Sequence, residues 1–539
     1  MCFYLCVILF FVSCLLPEVM FLNRCRKSGI FLHISSLPGN FCIGDLGPGA
    51  ERFAEFLSDS GFSVWQVLPM TPVNSACGNS PYCSQSAFAG NFLFISPEKM
   101  SRDGLISCDD MEQYVAAASS KSDYIYAEKI KHELLVTAWR NFCAEKKNRM
   151  KEHEDYRNFR EKEKWWLDDY VIFTVLKEHF GGMCWNEWPE NFRNRDENSL
   201  RIFISEESNA ESIDFYAFVQ YIFYRQWHEL HEYCSKRGIS IIGDIPMFVA
   251  LDSSDVWSNR ELFNLRDDGS PGLVAGVPPD YFSSTGQRWG NPVYRWDRME
   301  ENGFRWWIMR IRHALKIYDS ARVDHFRGFC AYWAIPPEDK TAQNGKWVVA
   351  PGRSFFRALD ADIRAENGKE LNLIAEDLGI ITDDVRELMA EFRLPGMKVL
   401  LFAFCDATGA NPYAPHNISS DSVVYTGTHD NNTAAGWWKN ETSECDRRRF
   451  RSYIGYDIRD EDVPERMLIM ALSSHADLAV IPMQDILGLD ETARMNTPGK
   501  PEGNWEWRLE RGYFLNRTSD APDLTGRLKE LNIIYGRSG

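Results

Sequence analysis

Three acidic residues in the second half of the chain stand where they could act together. Asp324, Glu376 and Asp430 each follow a short, mostly apolar run, and 52 and 54 residues separate successive acids. Such runs predict buried strands, so each acid would stand at or just beyond a strand end. Cleavage of a glycosidic bond needs one carboxyl group to protonate the leaving oxygen and a second to attack or stabilise the sugar carbon. The set therefore indicates sugar chemistry.

The residues beside these acids suit the same chemistry. His325 and His429 each neighbour an Asp, and their ring nitrogens could bond substrate hydroxyls or hold the carboxylates. Arg322 lies two residues before Asp324 and on the same strand face, where its charge would favour the ionised carboxylate. Asp377 would point to the other side of its strand and is interpreted as an orienting residue. The alternative, ordinary acids at helix starts or in surface loops, is weakened because three such motifs occur together.

The spacing of apolar runs predicts the elements that would position these residues. Each interval between acids is wide enough for strands and helices of a parallel barrel. The third strand would deliver Asp244 and the sixth Asp406. We predict eight barrel strands, at 29–34, 62–68, 240–244, two runs that end at Asp324 and Glu376, 397–404, 423–426 and 477–482.

Two long stretches do not fit the barrel pattern. Residues 98–238 are rich in Lys, Glu and Trp with helical periodicity, and predict a helical insertion between the second and third strands. Residues 251–297 are dense in Gly, Pro and aromatic residues and predict a long functional loop that covers the cleft. The fold class is therefore α/β, a TIM (β/α)8 barrel with inserted helical and loop subdomains over residues 25–539.

Bulk composition narrows the classes of function. The chain has 539 residues and a formal net charge of −17, which argues against nucleic acid as a partner. Its 18 Trp residues include candidates for stacking on sugars, although core packing accounts for most of them. The 14 Cys residues show no C-x-x-C spacing and predict reduced thiols. His228 and His231 lack zinc-motif spacing, so no metal is expected.

The first 24 residues form an apolar N-terminal extension. Residues 2–16 are almost all apolar, with signal-peptide length but no preceding Lys or Arg, and the run is short for a membrane span. Two interpretations stay open: a targeting segment, or translation that begins at Met20 so that residues 1–19 are not made. We favour the second, and expect a cytoplasmic protein without stable membrane association.

Motifs along most of the chain resemble one enzyme family. ARVDHFRGF at 321–329, IAEDLG at 374–379 and TGTHDNNT at 426–433, in this order, resemble the 4-α-glucanotransferases, also called amylomaltases or disproportionating enzymes. These form glycoside hydrolase family 77 of the α-amylase superfamily. The resemblance begins near Gly29, continues to the C-terminus, and includes further matching segments at 29–39, 243–250, 274–282, 286–292, 482–488 and 503–508.

The resemblance implies roles for individual residues. Asp324 would be the nucleophile, Glu376 the general acid/base and Asp430 the transition-state stabiliser. In a retaining enzyme the first two carboxyl groups lie roughly 5–5.5 Å apart, and the acid must have a raised pKa. Cys83 stands where the family usually has Gln, which puts the detail of that subsite in doubt. The residues expected to bind substrate are Tyr82, Asp244, Gln287, Trp289, Arg322, His325, Asp377, Asp406 and His429.

The expected activity follows from these roles. The enzyme would move an α-1,4-glucan segment from a maltooligosaccharide, amylose or glycogen-type donor to glucose or another glucan by retaining double displacement, without organic cofactor or metal. A cleft cover that limits water would favour transfer. Alternatives are a glucan hydrolase, a debranching-type transferase and, more remotely, a glucan-binding protein without catalysis. Product analysis and binding without turnover separate these alternatives.

Overall fold

The computed structural model describes residues 26–116, 119–279, 283–368, 370–406, 409–500, 502–510 and 523–538. The prediction for the apolar extension at 1–24 lies outside these residues. Within the described ranges, no helix is long and apolar enough to cross a membrane.

Twelve strands are described, and eight of them form a closed parallel barrel in the order β1-β12-β11-β10-β9-β6-β3-β2. In chain order the strands are β1 Lys27–Phe31, β2 Val64–Gln66, β3 Ser240–Ile245, β4 Val274–Val277, β5 Gln287–Pro292, β6 Ser320–Val323, β7 Ala331–Ile335, β8 Lys346–Val349, β9 Leu373–Ala375, β10 Gly396–Val399, β11 Ser422–Tyr425 and β12 Leu478–Pro482. The predicted TIM barrel is confirmed, and all eight predicted strands are present. The sixth is shorter than predicted because the chain turns into a 3-10 helix at Leu400–Phe402.

Helices surround the barrel and fill the stretch between β2 and β3. Their bounds are Pro48–Asp59, Pro97–Arg102, Cys108–Glu112, Tyr124–Ala144, Met150–His179, Glu190–Arg193, Glu197–Ser205, Glu207–Ser235, Ser254–Ser258, Trp296–Glu301, Arg305–Ile317, Gly352–Asn367, Asp383–Glu391, Ala434–Asn440, Glu444–Ile454, Val463–Ser473, Met483–Ile486 and Leu524–Ile534. Residues 98–238 accordingly carry helices and no described strand.

A second sheet lies in the segment treated as a loop by the sequence analysis. Strands β4 and β5 fall within residues 251–297 and join β7 and β8 in an antiparallel sheet of order β5-β4-β7-β8. Val274 pairs with Ile335, so the strand partner stands about 60 residues along the chain. The Gly and Pro residues of this segment are typical of a loop, so its local composition did not predict the strands. The stretch is therefore a small folded sheet with connecting loops.

The packing of the barrel explains why its strands have continuous apolar sequences. Parallel strands are covered on both faces, so they favour continuous apolar residues over alternation. Val423 and Val424 are both buried, as are Ile241 and Ile242. Gly29 is required where β1 passes β2, because a Cβ there would lie 2.6 Å from the carbonyl oxygen of Val64.

The prediction of uniformly reduced cysteines is wrong for one pair. Cys77 and Cys83 form a disulfide with a Cα–Cα distance of 6.3 Å. Both lie in the loop after β2, close in sequence, where a turn brings them together. Eight other cysteines in the described part of the chain carry free thiols.

Candidate active site

Asp324 and Glu376 follow neighbouring barrel strands. Val323, the last residue of β6, pairs in register with Ala375, the last residue of β9. The amide of His325 donates a 2.8 Å hydrogen bond to Oε2 of Glu376, which ties the residue after Asp324 to that carboxyl group. His325 has φ 47° and ψ 50°, a left-handed conformation that is uncommon outside Gly. This turn directs its amide toward Glu376, so backbone geometry couples the two acids.

Arg322 connects Asp324 to the third strand. Arg322 and Asp244 are register partners on β6 and β3, and their side chains are 2.5 Å apart. The second guanidinium nitrogen lies 2.5 Å from Oδ1 of Asp324. Asp244 also accepts a 2.6 Å hydrogen bond from the hydroxyl of Tyr82. One buried cation thus links two carboxylates and fixes the tyrosine, as charge-assisted bonds do where burial strengthens them.

Glu376 is held so that it keeps a proton near neutral pH. Burial, with the negative charge of Asp324 as the second cause, raises its pKa to about 8. Its carboxyl group also accepts a 2.7 Å hydrogen bond from the amide of Leu378, and such bonds lower the pKa only in part. Glu376 therefore has the protonation state that a general acid needs.

Asp430 is the most exposed of the three acids, and its fixed position depends on residues that the sequence analysis missed. Its side chain is 48% exposed. Asn496 donates a 2.6 Å hydrogen bond to Oδ1, and Arg494 donates one of 2.6 Å to the backbone carbonyl of Asp430. The backbone amide of Asn496 also bonds the carbonyl of His429. No local pattern marks Asn496, because its partners are more than 60 residues away along the chain.

Aromatic rings form one wall beside the acids. The ring of Tyr82 stacks on His429 with centroids 5.1 Å apart and an interplanar angle of 18°. Trp505 lies 6.0 Å from Tyr82 and 5.8 Å from His429, and is buried. Trp505 lies in the segment 503–508, which the sequence analysis noted only for its resemblance to the family. Its packing against Tyr82 and His429 is apparent only in the structure. The two buried rings hold the partly buried ring of Tyr82 in place beside the acids.

The second sheet brings Trp289 against His325, the residue after Asp324. The Trp289 ring meets the ring of His325 edge to face with centroids 4.9 Å apart. Its Nε1 donates a 3.1 Å hydrogen bond to the side chain of Gln287, and 38% of Trp289 is exposed. Burial lowers the pKa of His325 to about 4, so this ring is neutral at physiological pH. The segment 283–292 thus reaches the residue next to the predicted nucleophile.

Of the predicted site residues, Asp377 is hydrogen-bonded within the protein, whereas Asp406 is exposed. Asp377 accepts a 2.6 Å hydrogen bond from the amide of Met397 and lies 3.5 Å from Nζ of Lys398, which agrees with an orienting position between β9 and β10. Asp406 is exposed in the loop after β10. No metal-binding group of three or more His, Cys, Asp or Glu side chains occurs in the described ranges.

We expect Asn496→Ala to lower kcat about 10- to 100-fold. A hydrogen bond to a charged group contributes about 1.5–3 kcal/mol, and this one orients Asp430. Initial rates with maltotriose measure the effect, and Asn198→Ala, at an exposed site on helix Glu197–Ser205, serves as the control. An unchanged kcat in Asn496→Ala would show that Asp430 needs no such support.

A parallel barrel with two acids just after neighbouring strand ends, one of them protonated near neutral pH, and aromatic rings beside them is typical of TIM-barrel enzymes that act on glycosidic bonds. The comparisons with known proteins narrow this class. The family model described as 4-alpha-glucanotransferase matches residues 32–514. The 4-alpha-glucanotransferase of Aquifex aeolicus is 43% identical over 512 residues, which is 95% of this chain and 99% of the relative. That of Thermus thermophilus is 45% identical over 511 residues, with coverages of 94% and 98%.

A solved structure agrees with these relatives. The amylomaltase of Streptococcus agalactiae, in complex with acarbose, superposes with a TM-score of 0.88 at 37% identity and covers 95% of this chain and 100% of its own. The chain belongs to the 4-alpha-glucanotransferase family, glycoside hydrolase family 77.

Proposed function

We propose that this 4-α-glucanotransferase moves an α-1,4-glucan segment from a donor maltooligosaccharide to the 4-hydroxyl of glucose or of another glucan. The observation that supports the mechanism is that Asp324 and Glu376 follow the paired strands β6 and β9. The amide of His325, next to Asp324, donates a hydrogen bond to the Glu376 carboxyl group. Amylose and glycogen-type glucans are longer donors of the same chemistry.

In the first half-reaction, Asp324 attacks the anomeric carbon of the bound donor while Glu376 gives its proton to the leaving 4-oxygen. A covalent glycosyl ester forms on Asp324, and the shortened glucan leaves with the proton. Arg322 bridges Asp324 and Asp244 and thereby holds the attacking carboxylate in place. Asp430 faces the developing positive charge on the sugar ring.

In the second half-reaction, the 4-hydroxyl of an acceptor attacks the same carbon from the opposite side. Glu376, now ionised, accepts the hydroxyl proton, and Asp324 is released as a carboxylate. The configuration at the anomeric carbon is retained because it is inverted twice. Each half-reaction returns Glu376 to the state that the next one needs.

Transfer competes with hydrolysis at this second step. The second sheet carries Trp289 to His325, beside the intermediate, where the indole would bind an acceptor sugar and displace water. Gln287 supports Trp289 through its hydrogen bond. On the donor side we assign sugar contacts to Tyr82 and His429. The remaining predicted contacts are Asp244, His325, Asp377 and Asp406.

The rate should fall at alkaline pH. Glu376 must carry its proton in the free enzyme, and its pKa is about 8. Since activity is lost as pH rises through that value, kcat/KM should fall about tenfold for each pH unit above it. A pH profile of kcat/KM for maltotriose measures this. A profile that stays flat to pH 10 would contradict the role of Glu376.

Product analysis tests the proposed function. Incubation with maltotriose should give glucose and a ladder of longer maltooligosaccharides while the number of reducing ends stays constant. A hydrolase would raise the number of reducing ends in step with substrate loss. Binding of maltotriose without any products would favour the non-catalytic alternative.

We further propose a cytoplasmic location without stable membrane association. The free thiols of the described cysteines support it, with the Cys77–Cys83 pair as the exception. Cell fractionation with immunodetection tests it, and enzyme in the membrane or secreted fraction would overturn it.

A further inference from the structure

A groove outside the acid cluster has the composition of a sugar-binding site. It has a cavity volume of about 280 Å³ and lies between helix Met150–His179, helix Ser254–Ser258 and the first turns of helix Arg305–Ile317. This volume is close to the lower end of the range for small-molecule pockets, roughly 300–1,000 Å³. None of the three catalytic acids lines it.

Aromatic side chains form the apolar surface of this groove. Trp165 is 40% exposed, on a helix that packs against helices Glu207–Ser235 and Ser254–Ser258. The edge of Phe88 meets Trp165 with centroids 4.8 Å apart, which fixes the orientation of the indole. Trp306 is 7% exposed, and its Nε1 has no hydrogen-bond acceptor in the described part of the chain. A buried indole donor without a partner is costly and fits a site completed by a ligand oxygen.

Polar groups surround the aromatic floor. Asn302, Glu261 and Arg305 line the groove, together with Asp169, which pairs with Arg195, and Asn259, which donates to Ser258. This mixture suits hydroxyl groups, which both donate and accept hydrogen bonds. Anionic ligands are disfavoured because the carboxylates in the lining outnumber the single guanidinium. The combination points to a neutral polyhydroxyl ligand with an apolar ring face.

The groove lies on the same side of the barrel as the acids. Helix Arg305–Ile317 leads into β6, so the helix starts near the carboxyl ends of the strands, where Asp324 stands. Phe88 belongs to the loop that also carries Tyr82, six residues earlier. A glucan bound in the groove would therefore be kept near the entrance of the catalytic cleft.

We propose that this groove is a second binding site for α-1,4-glucan chains, with Trp165 as its stacking platform and Trp306 as a hydrogen-bond donor. Its effect is to raise the local concentration of long donors near the catalytic acids. The choice of ligand rests on the proposed function, whereas the existence of the site rests on the groove itself.

A binding titration tests the site apart from catalysis. Glu376→Gln is used as the background because its turnover is slow, and maltoheptaose is titrated calorimetrically. We expect two binding sites per chain, and one when Trp165→Ala is added. Ile202→Ala, on the same inserted region and 61% exposed, should keep two. A single site in the background variant, or two sites after Trp165→Ala, would overturn the proposal.

Kinetics give a second readout that a structural defect would not imitate. In the otherwise wild-type enzyme, Trp165→Ala should raise KM for amylose about tenfold. With maltotriose as substrate, both kcat and KM should stay unchanged. Trp165→Phe should restore most of the amylose KM. If Trp165→Ala does not fold, Glu261→Gln combined with Asn302→Ala replaces it with the same expectation. Equal losses with both substrates would overturn the proposal, whereas absence of transfer in the unaltered enzyme would instead reject the proposed function.

Discussion

Replacing Asp324 by Asn should lower kcat for maltotriose at least about 10⁴-fold, which corresponds to about 5 kcal/mol of transition-state stabilisation. The amide oxygen is a poor nucleophile and carries no charge to balance Arg322, which lies 2.5 Å from Oδ1 of the native carboxylate. The side chain keeps its size, so the barrel should keep its fold. Rates from chromatographic product analysis, with circular dichroism and thermal melting on the same samples, measure both expectations.

The matched control is Asp383→Asn. Asp383 is the first residue of helix Asp383–Glu391, and its 92% exposed side chain pairs with Arg386 in the next helical turn. Its replacement should change kcat less than twofold, because exposed pairs of this kind contribute little. Comparable losses in both variants would mean that charge in general, rather than the nucleophile, limits the rate.

Glu376→Gln should lower kcat for maltotriose about 10²- to 10⁴-fold, the range that general acid–base catalysis contributes. The reason is specific: Gln cannot protonate the leaving oxygen of a natural donor. A donor with fluoride as its leaving group needs no such proton. The first-turnover release of fluoride from α-maltosyl fluoride should therefore stay within about tenfold of the unaltered enzyme.

A comparison of maltotriose with α-maltosyl fluoride distinguishes loss of the acid from structural damage to the site. The residual rate of the variant with maltotriose should also lose its fall above pH 8, because the group responsible has been removed. Glu387→Gln, at a 68% exposed position, is the control and should behave as the unaltered enzyme with both donors. An equal loss with maltotriose and with the fluoride donor would contradict the assignment of Glu376 as the acid.

The barrel could be predicted from sequence because its strands are covered on both faces. Continuous apolar runs such as the one that ends at Val323 are a local signal, and parallel packing requires them. The second sheet was missed for the opposite reason. The pairing of Val274 with Ile335 is non-local, and the Gly and Pro residues of that segment resemble those of an ordinary loop.

The same difference between local and non-local signals applies to the residues of the candidate site. Asp324 and Glu376 could be predicted as site residues because they immediately follow strand signals, and Arg322 because it shares a strand face with Asp324. Asn496 carried no such signal, since only the folded chain brings it to Asp430. The Cys77–Cys83 pair shows the same limit, because cysteine spacing gave no reason to expect it.

The most direct test of the account is to find the covalent intermediate. Glu376→Gln is mixed with α-maltosyl fluoride, quenched in acid and digested with pepsin, and the peptides are analysed by mass spectrometry. Without its acid/base group the second half-reaction is slow, so the glycosyl-enzyme should accumulate. The account predicts that the peptide with Asp324 gains the mass of one maltosyl group. A label on Asp430 or elsewhere, or a burst of fluoride with no labelled peptide, would contradict it.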